Sequence, residues 1–357
     1  MRLTVLVGIL AAGLMAFAST ASAQTTPVDA LIDAWAASPH ASIEDEAFAH
    51  WDADGEVPTS CATCHAGLGF RDFLGADGSA AGVVDHPAPI RSLVDCATCH
   101  NSVASALTSV TFPSGATIDN LDSSARCMVC HQGRSSTASV DGALDGMDDD
   151  TVNGDLGFLN IHYRAAAASL YGTEVKGAYE YAGMTYLGKF RHPEGFDSCA
   201  ECHDAHSTNV REEQCAACHQ NVAVRDIRFS QGDPDGDGDT SEGIRAEITH
   251  LHEMLLDEIR TYASEEGNPI AYNSHAYPYF FADPNGDGVS DGEEAIYPNR
   301  YLAWTPRMLR AAYNYQFVAK DPGAYAHNPH YALQILYDSI ASLAEVTGTD
   351  VSSLSRP

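Results

Sequence analysis

All ten cysteines of this chain fall into five copies of one pattern, Cys-x-x-Cys-His. The copies are Cys61, Cys64 and His65, then Cys96, Cys99 and His100, then Cys127, Cys130 and His131, then Cys199, Cys202 and His203, and finally Cys215, Cys218 and His219. Two intervening residues let one turn of backbone set both sulfurs against one edge of a porphyrin, where each thiol adds across a vinyl group. The histidine that follows then faces the iron as its proximal ligand. Zinc sites and disulfide frameworks also use Cys-x-x-Cys pairs, but neither demands histidine directly after the second cysteine. With only 16 histidines in 357 residues, five such coincidences in five point to five covalently held haem c groups.

The compartment implied by the N-terminus agrees. Arg2, an apolar run from Leu3 to Phe17 and Ala21-Ser22-Ala23 form the layout of a secretory signal peptide over residues 1–23. The run is short of a bilayer span and ends in small polar residues, which argues against a permanent anchor. No later stretch is long and apolar enough to cross a membrane, so no membrane span is expected. Haem is attached to such motifs outside the cytoplasm, so the expected location is periplasmic or extracellular. Acidic residues outnumber basic ones by 49 to 19, for a net charge of −30. A surface of that sign repels nucleic acid and anionic lipid, and suits cationic partners or metal ions.

The motifs divide the chain unevenly. Residues 24–232 read as a five-haem domain and 233–357 as a haem-free domain, because no cysteine follows Cys218. Between motifs the connections are rich in Gly, Ser, Asp and Ala, as in 75–84 and 135–155, and offer little apolar material for an ordinary core. Buried porphyrins would supply it. The expected fold is mostly α with sparse regular structure around the haems, plus a small C-terminal helical domain with calcium-type acidic loops. Pro113-Ser114-Gly115 predicts a hairpin over 110–118. Ile244, Ile248, Leu251, Leu255, Ile259 and Tyr262 follow helical spacing on one face. Thr305 before Pro306 and Asn328 before Pro329 each read as an N-cap with proline at the first helical position. The second helix would bury Met308, Leu309, Ala312 and Tyr315, and the third Leu333, Leu336, Ile340 and Leu343.

The identity of the sixth iron ligand decides between carrying electrons and binding substrate. Eleven histidines lie outside the motifs. His206 stands three residues beyond His203 and is the foremost distal candidate for a neighbouring haem. His40, with His50 as its rival, precedes the first motif, and His162 and His192 flank the long gap between the third and fourth. His86, His327 and then His275 compete for the remaining position. If His327 is a ligand, the C-terminal helices fold back onto the haems. His250 and His252 sit on the first C-terminal helix and read as structural.

Residues 283–294 place Asp283, Asn285, Asp287, Asp291 and Glu294 at positions 1, 3, 5, 9 and 12 of a calcium loop, with Gly288 at position 6. Pro278 and Tyr279-Phe280-Phe281 ahead of it do not form the entering helix of a full EF-hand. A second stretch carries Asp233, Asp235, Asp237 and Asp239, but position 12 is Ile244, so Glu242 would have to substitute.

With its five motifs, Pro39-His40-Ala41, Cys199 to His206 and Ala326-His327-Asn328-Pro329, the chain resembles exported multihaem c-type cytochromes over most of its mature length. The last element resembles the C-terminal helices of reductases related to pentahaem nitrite reductase. That family typically has lysine in place of the proximal histidine at its catalytic haem, and no Cys-x-x-Cys-Lys occurs here. Similarity to periplasmic and extracellular electron-transfer cytochromes, including polymerising filaments, is the better fit. The resemblance implies an electron carrier with five bis-histidine haems, serving other redox proteins or extracellular acceptors. Two alternatives are an oxidoreductase with one open iron acting on a small nitrogen or sulfur compound, and a homopolymer in which stacked subunits form a continuous wire.

Overall fold

Three long helices dominate the C-terminal part, and the second and third begin at their capping residues. The structure is a computed structural model describing residues 27–193, 195–220, 222–228 and 232–357, so the signal-peptide expectation for 1–23 lies outside the described residues. The first long helix is Ile244–Glu265. The second is Pro306–Lys320, where the Thr305 side chain accepts from the Met308 N–H. The third is Pro329–Thr347, where Asn328 accepts from Tyr331. These side-chain caps satisfy backbone donors that a helix start otherwise leaves open. The first and third helices pack most extensively, with the second against both. Every apolar residue expected on the three inner faces is buried. Each such side chain contributes about 1.5–3 kcal/mol.

One buried cluster spans both sides of the boundary expected at 232/233. Val140, Leu144, Ile161, Ala168, Tyr179 and Tyr186 join Leu251, Leu309, Tyr331 and Leu336 in a single core. Polar contacts reinforce the join. Buried Asn314 accepts from the Tyr179 N–H at 2.7 Å and donates to the Tyr179 carbonyl at 3.0 Å, pairing both backbone groups of a segment that has no strand neighbour there. Tyr313 donates to the Gly177 carbonyl at 2.7 Å, and Asn328 Nδ2 to the Gly188 carbonyl at 2.9 Å. Gly177 has to be glycine at this approach, since a Cβ would sit 2.6 Å from that of Ala168. Residues 244–357 are therefore the base on which residues 140–190 are laid.

Elsewhere regular structure is sparse. A short hairpin pairs Val110 with Ile118 and Thr111 with Thr117. Glu56–Val57 pairs with Ala88–Pro89, and Ile270–Tyr272 with Phe280–Ala282. The last pair leads into the first acidic loop, so a strand rather than a helix enters it. Among the described residues no helix is long and apolar enough to cross a membrane.

Candidate haem sites

Each cysteine motif lies on a helix or its last turn: Thr59–His65, Cys96–Cys99, Ser124–His131, Cys199–Cys202 and Glu212–His219. Positions i, i+3 and i+4 share a helix face, so the thiols and imidazole are presented together. Two of these short helices are fixed by capping boxes immediately before the first cysteine. Asp95 accepts from the Thr98 N–H at 2.8 Å, and Glu201 accepts from the Ser198 N–H at 2.7 Å. All ten cysteines are free thiols. The three groups of potential metal-binding side chains among the described residues contain no cysteine, which leaves the zinc alternative without a converging thiolate set.

Long-range packing brings a second imidazole to the motif histidines. His131 faces His40, with ring centres 6.4 Å apart, and His203 faces His327 at 6.3 Å. His100 and His206 lie parallel within 8° at 6.1 Å. His65 faces His162 at 5.7 Å, with their Nε2 atoms 3.4 Å apart. Two imidazoles bound trans to one metal, with metal–nitrogen distances of about 2.0–2.1 Å, hold their nitrogens about 4 Å apart and their centres roughly 6 Å apart. The ring-centre separations of the four pairs fit that spacing, and the Nε2 atoms of His65 and His162 lie closer than it. For the fifth motif, His192 lies within electrostatic range of His219.

Hydrogen bonds orient several rings. His65 Nδ1 meets the Ala47 carbonyl at 2.8 Å, His131 Nδ1 the Arg164 carbonyl at 3.0 Å and His203 Nδ1 the Thr208 carbonyl at 3.1 Å. Each ring thus donates from Nδ1 and keeps Nε2 as the lone-pair nitrogen for a metal. His327 differs, since its Nδ1 meets both carboxylate oxygens of buried Asp321 at 2.9 Å. His162 adopts a left-handed backbone, φ 78°, held by Asn160 accepting from its N–H at 3.0 Å. Such a conformation costs on the order of 1–3 kcal/mol and persists where the surroundings impose it.

Burial sets the charge state of these rings. Desolvation, then the neighbouring His131, lowers the His40 pKa to about 4. Desolvation, then His65, Arg134 and Lys320, lowers that of His162 to about 4. Neutral imidazole is the metal-binding form. At His327 burial works in the same direction, but the Asp321 carboxylate outweighs it and raises the pKa.

The remaining candidates are placed elsewhere. His86, expected among the ligands, is exposed on the connection before the second motif near Asp77, and makes no ring contact with a motif histidine among the described residues. It lies two residues before the short Ala88–Pro89 strand. His50 is exposed and bound to Glu46 at 2.7 Å, and His275 is exposed. His252 is packed face to face on Tyr315, with Nε2 donating to the Tyr315 carbonyl at 2.8 Å. His250 Nδ1 meets Asp235 at 2.9 Å.

Of the first acidic loop, Asp283, Asp287 and Glu294 bring carboxylate oxygens within 4.8 Å of one another. Buried Asp283 accepts from the Gly286 and Gly288 N–H groups, both at 2.9 Å. Asn285 donates to Asp287 at 3.1 Å, and Asp291 is exposed at the start of the final turn. In the second stretch Asp233 and Asp235 converge with Glu247, three residues beyond the twelfth position. Counting only to position 12 misses Glu247, although its place one turn into the Ile244–Glu265 helix follows from the helical spacing.

The motif helices also touch one another. Cys130 Sγ lies 3.6 Å from the Thr63 carbonyl, Arg126 donates to the Cys99 carbonyl at 2.9 Å, and the Cys199 N–H donates to Ser124 Oγ at 3.1 Å. The third motif is thereby in direct contact with the first, second and fourth.

Known proteins agree with this picture in kind. The chain is 26% identical to a C-type polyheme cytochrome, OmcB, of Geobacter sulfurreducens, in an alignment covering 86% of this chain and 47% of the relative. It is 28% identical to a second, OmcC, of the same species over 64% of this chain and 31% of the relative. The chain spans about half the length or less of these curated relatives. No protein-family model and no solved structure matches it. The proteins this chain is similar to are thus C-type polyheme cytochromes.

Proposed function

We propose that the protein carries electrons through five covalently attached haem c groups, each with two histidine ligands. The observation that carries this reading is the second imidazole beside four of the five motif histidines, His65, His100, His131 and His203. The ligand pairs are His65 with His162, His100 with His206, His131 with His40, His203 with His327, and His219 with His192. When bound, each haem supplies a one-electron Fe(III)/Fe(II) couple. The protein's own residues fix the rings and close the iron to substrate. Contact between the motif helices keeps neighbouring centres close enough for rapid hopping.

The partners in this reading are other redox proteins or extracellular electron acceptors, met in the periplasm or outside the cell. Calcium held by Asp283, Asn285, Asp287, Asp291 and Glu294 would stiffen the loop beside the helical core. The test combines two measurements on the purified holoprotein. Mass spectrometry should find five covalent haems, and the reduced protein should bind little carbon monoxide. One equivalent of carbon monoxide would instead indicate an open iron and an enzyme.

A further inference from the structure

Two consecutive residues at the end of the Pro306–Lys320 helix face two different histidine pairs with opposite charge. Asp321 is 3% exposed, and both of its oxygens lie 2.9 Å from His327 Nδ1. Its Oδ1 also accepts from the Gly323 N–H at 3.1 Å, which fixes the carboxylate's orientation. The other Nδ1 contacts seen at the paired histidines, those of His65, His131 and His203, are to neutral backbone carbonyls. Lys320 is 7% exposed, with Nζ 3.9 Å from the ring centre of Tyr163 and 4.1 Å from that of Tyr279. Tyr163 in turn contacts the His162 ring at 5.1 Å. The Arg164 N–H donates to the Lys320 carbonyl at 2.8 Å, which locks the His162 segment onto this helix end.

The charges act on an iron through its ligands. A carboxylate accepting from Nδ1 gives the imidazole anionic character and strengthens its bond to the ferric state. A buried cation favours the extra electron of the ferrous state, and low local dielectric amplifies both effects. Arg134 also lies within range of His65 and His162, and His50 within range of His65, while Arg164 lies within range of His131 of a third pair. Arg134 adds to the effect of Lys320. The charge of Asp321 also reaches His131, so the third motif is expected between the two extremes.

We propose that Asp321 and Lys320 are positioning residues that split the reduction potentials of two haems, lowering that of the His203 and His327 pair and raising that of the His65 and His162 pair. The proposal rests on the bis-histidine reading. Of these two centres, an electron then resides at the first motif in preference to the fourth. An exchange between the two centres moves one electron, oxidising one iron and reducing the other, with no bond made or broken.

The experiment is a spectroelectrochemical titration of holoprotein variants, with haem content and spin state measured on the same samples. Asp321→Asn keeps an acceptor but removes the charge, and should raise one midpoint while five low-spin haems remain. Lys320→Met should lower a different midpoint, and Asp321→Glu should restore that of the wild type. Unchanged midpoints in both neutral variants would overturn the proposal. So would a high-spin centre in Asp321→Asn, because Asp321 would then only hold His327 in place. A high-spin centre in the wild-type protein would instead count against the bis-histidine reading itself.

Discussion

The ring of His206 lies parallel to that of His100, 6.1 Å away, although His206 belongs to the loop that leaves the fourth motif and His100 ends the second. Asp204 makes this possible. Its Oδ1 accepts from the His206 N–H at 3.1 Å and the Ser207 N–H at 2.8 Å, and its other oxygen pairs with Arg211 at 3.2 Å. The short peptide after one motif is thereby folded so that its imidazole meets the histidine of another.

Replacing His206 with Met should leave all five haems attached, since both cysteines of every motif remain. One midpoint should rise by on the order of 0.1 V, a fraction of the roughly 0.8 V that axial ligands command. Redox titration checks this, and an unchanged titration would remove His206 from the ligands.

The shared core makes a second expectation. Leu336 is fully buried in the cluster that joins the C-terminal helices to residues 140–186. Leu336→Ala should cost about 2–5 kcal/mol, seen as a lower unfolding midpoint in denaturant. Because His162 stands on that base, unfolding followed at the haem absorbance and by far-ultraviolet circular dichroism should lose stability together.

Much of this architecture is legible in the sequence. Thr305-Pro306 and Asn328-Pro329 announce helix starts because capping is a local effect, and the stripe from Ile244 to Tyr262 announces its face because periodicity is local too. The motifs are likewise local. Which imidazole meets which motif is not, because pairs such as His40 with His131 arise only from tertiary packing. The same reason separates His86 from His327, which local sequence ranks alike. Asp321 carries no signal of its own, since a Lys-Asp-Pro-Gly turn reads as surface. The single core across 232/233 was hidden because cysteine spacing marks haem attachment rather than packing.

Asp150 joins residues 148–151 to the second long helix, accepting from Arg307 Nε at 2.6 Å and from the Tyr262 hydroxyl at 2.9 Å. The Arg307 hydrogen bond holds its carboxyl below the usual range. A depressed folded pKa means stability present above the unfolded value near 3.9 and lost as pH falls through the folded one. The Asp150 side chain is 39% exposed, so screening limits the pair to no more than about 1 kcal/mol. Asp150→Asn should lose that much at pH 7 and converge with the wild type in acid, as measured by denaturant titration across pH.

Calcium should raise the thermal midpoint of the chelator-treated protein, since a ligand at a hundred times its Kd contributes about 2.7 kcal/mol. Asp283→Ala removes the buried member of the cluster with Asp287 and Glu294, and should abolish the part of the response due to that loop. A wild-type midpoint indifferent to calcium would remove the ion from the account.

Spin-quantified electron paramagnetic resonance of the oxidised holoprotein tests the central claim most directly. Five low-spin ferric centres per chain and no high-spin signal are expected if every iron lies between two imidazoles. Fewer than five centres, or a stoichiometric high-spin signal, would contradict it.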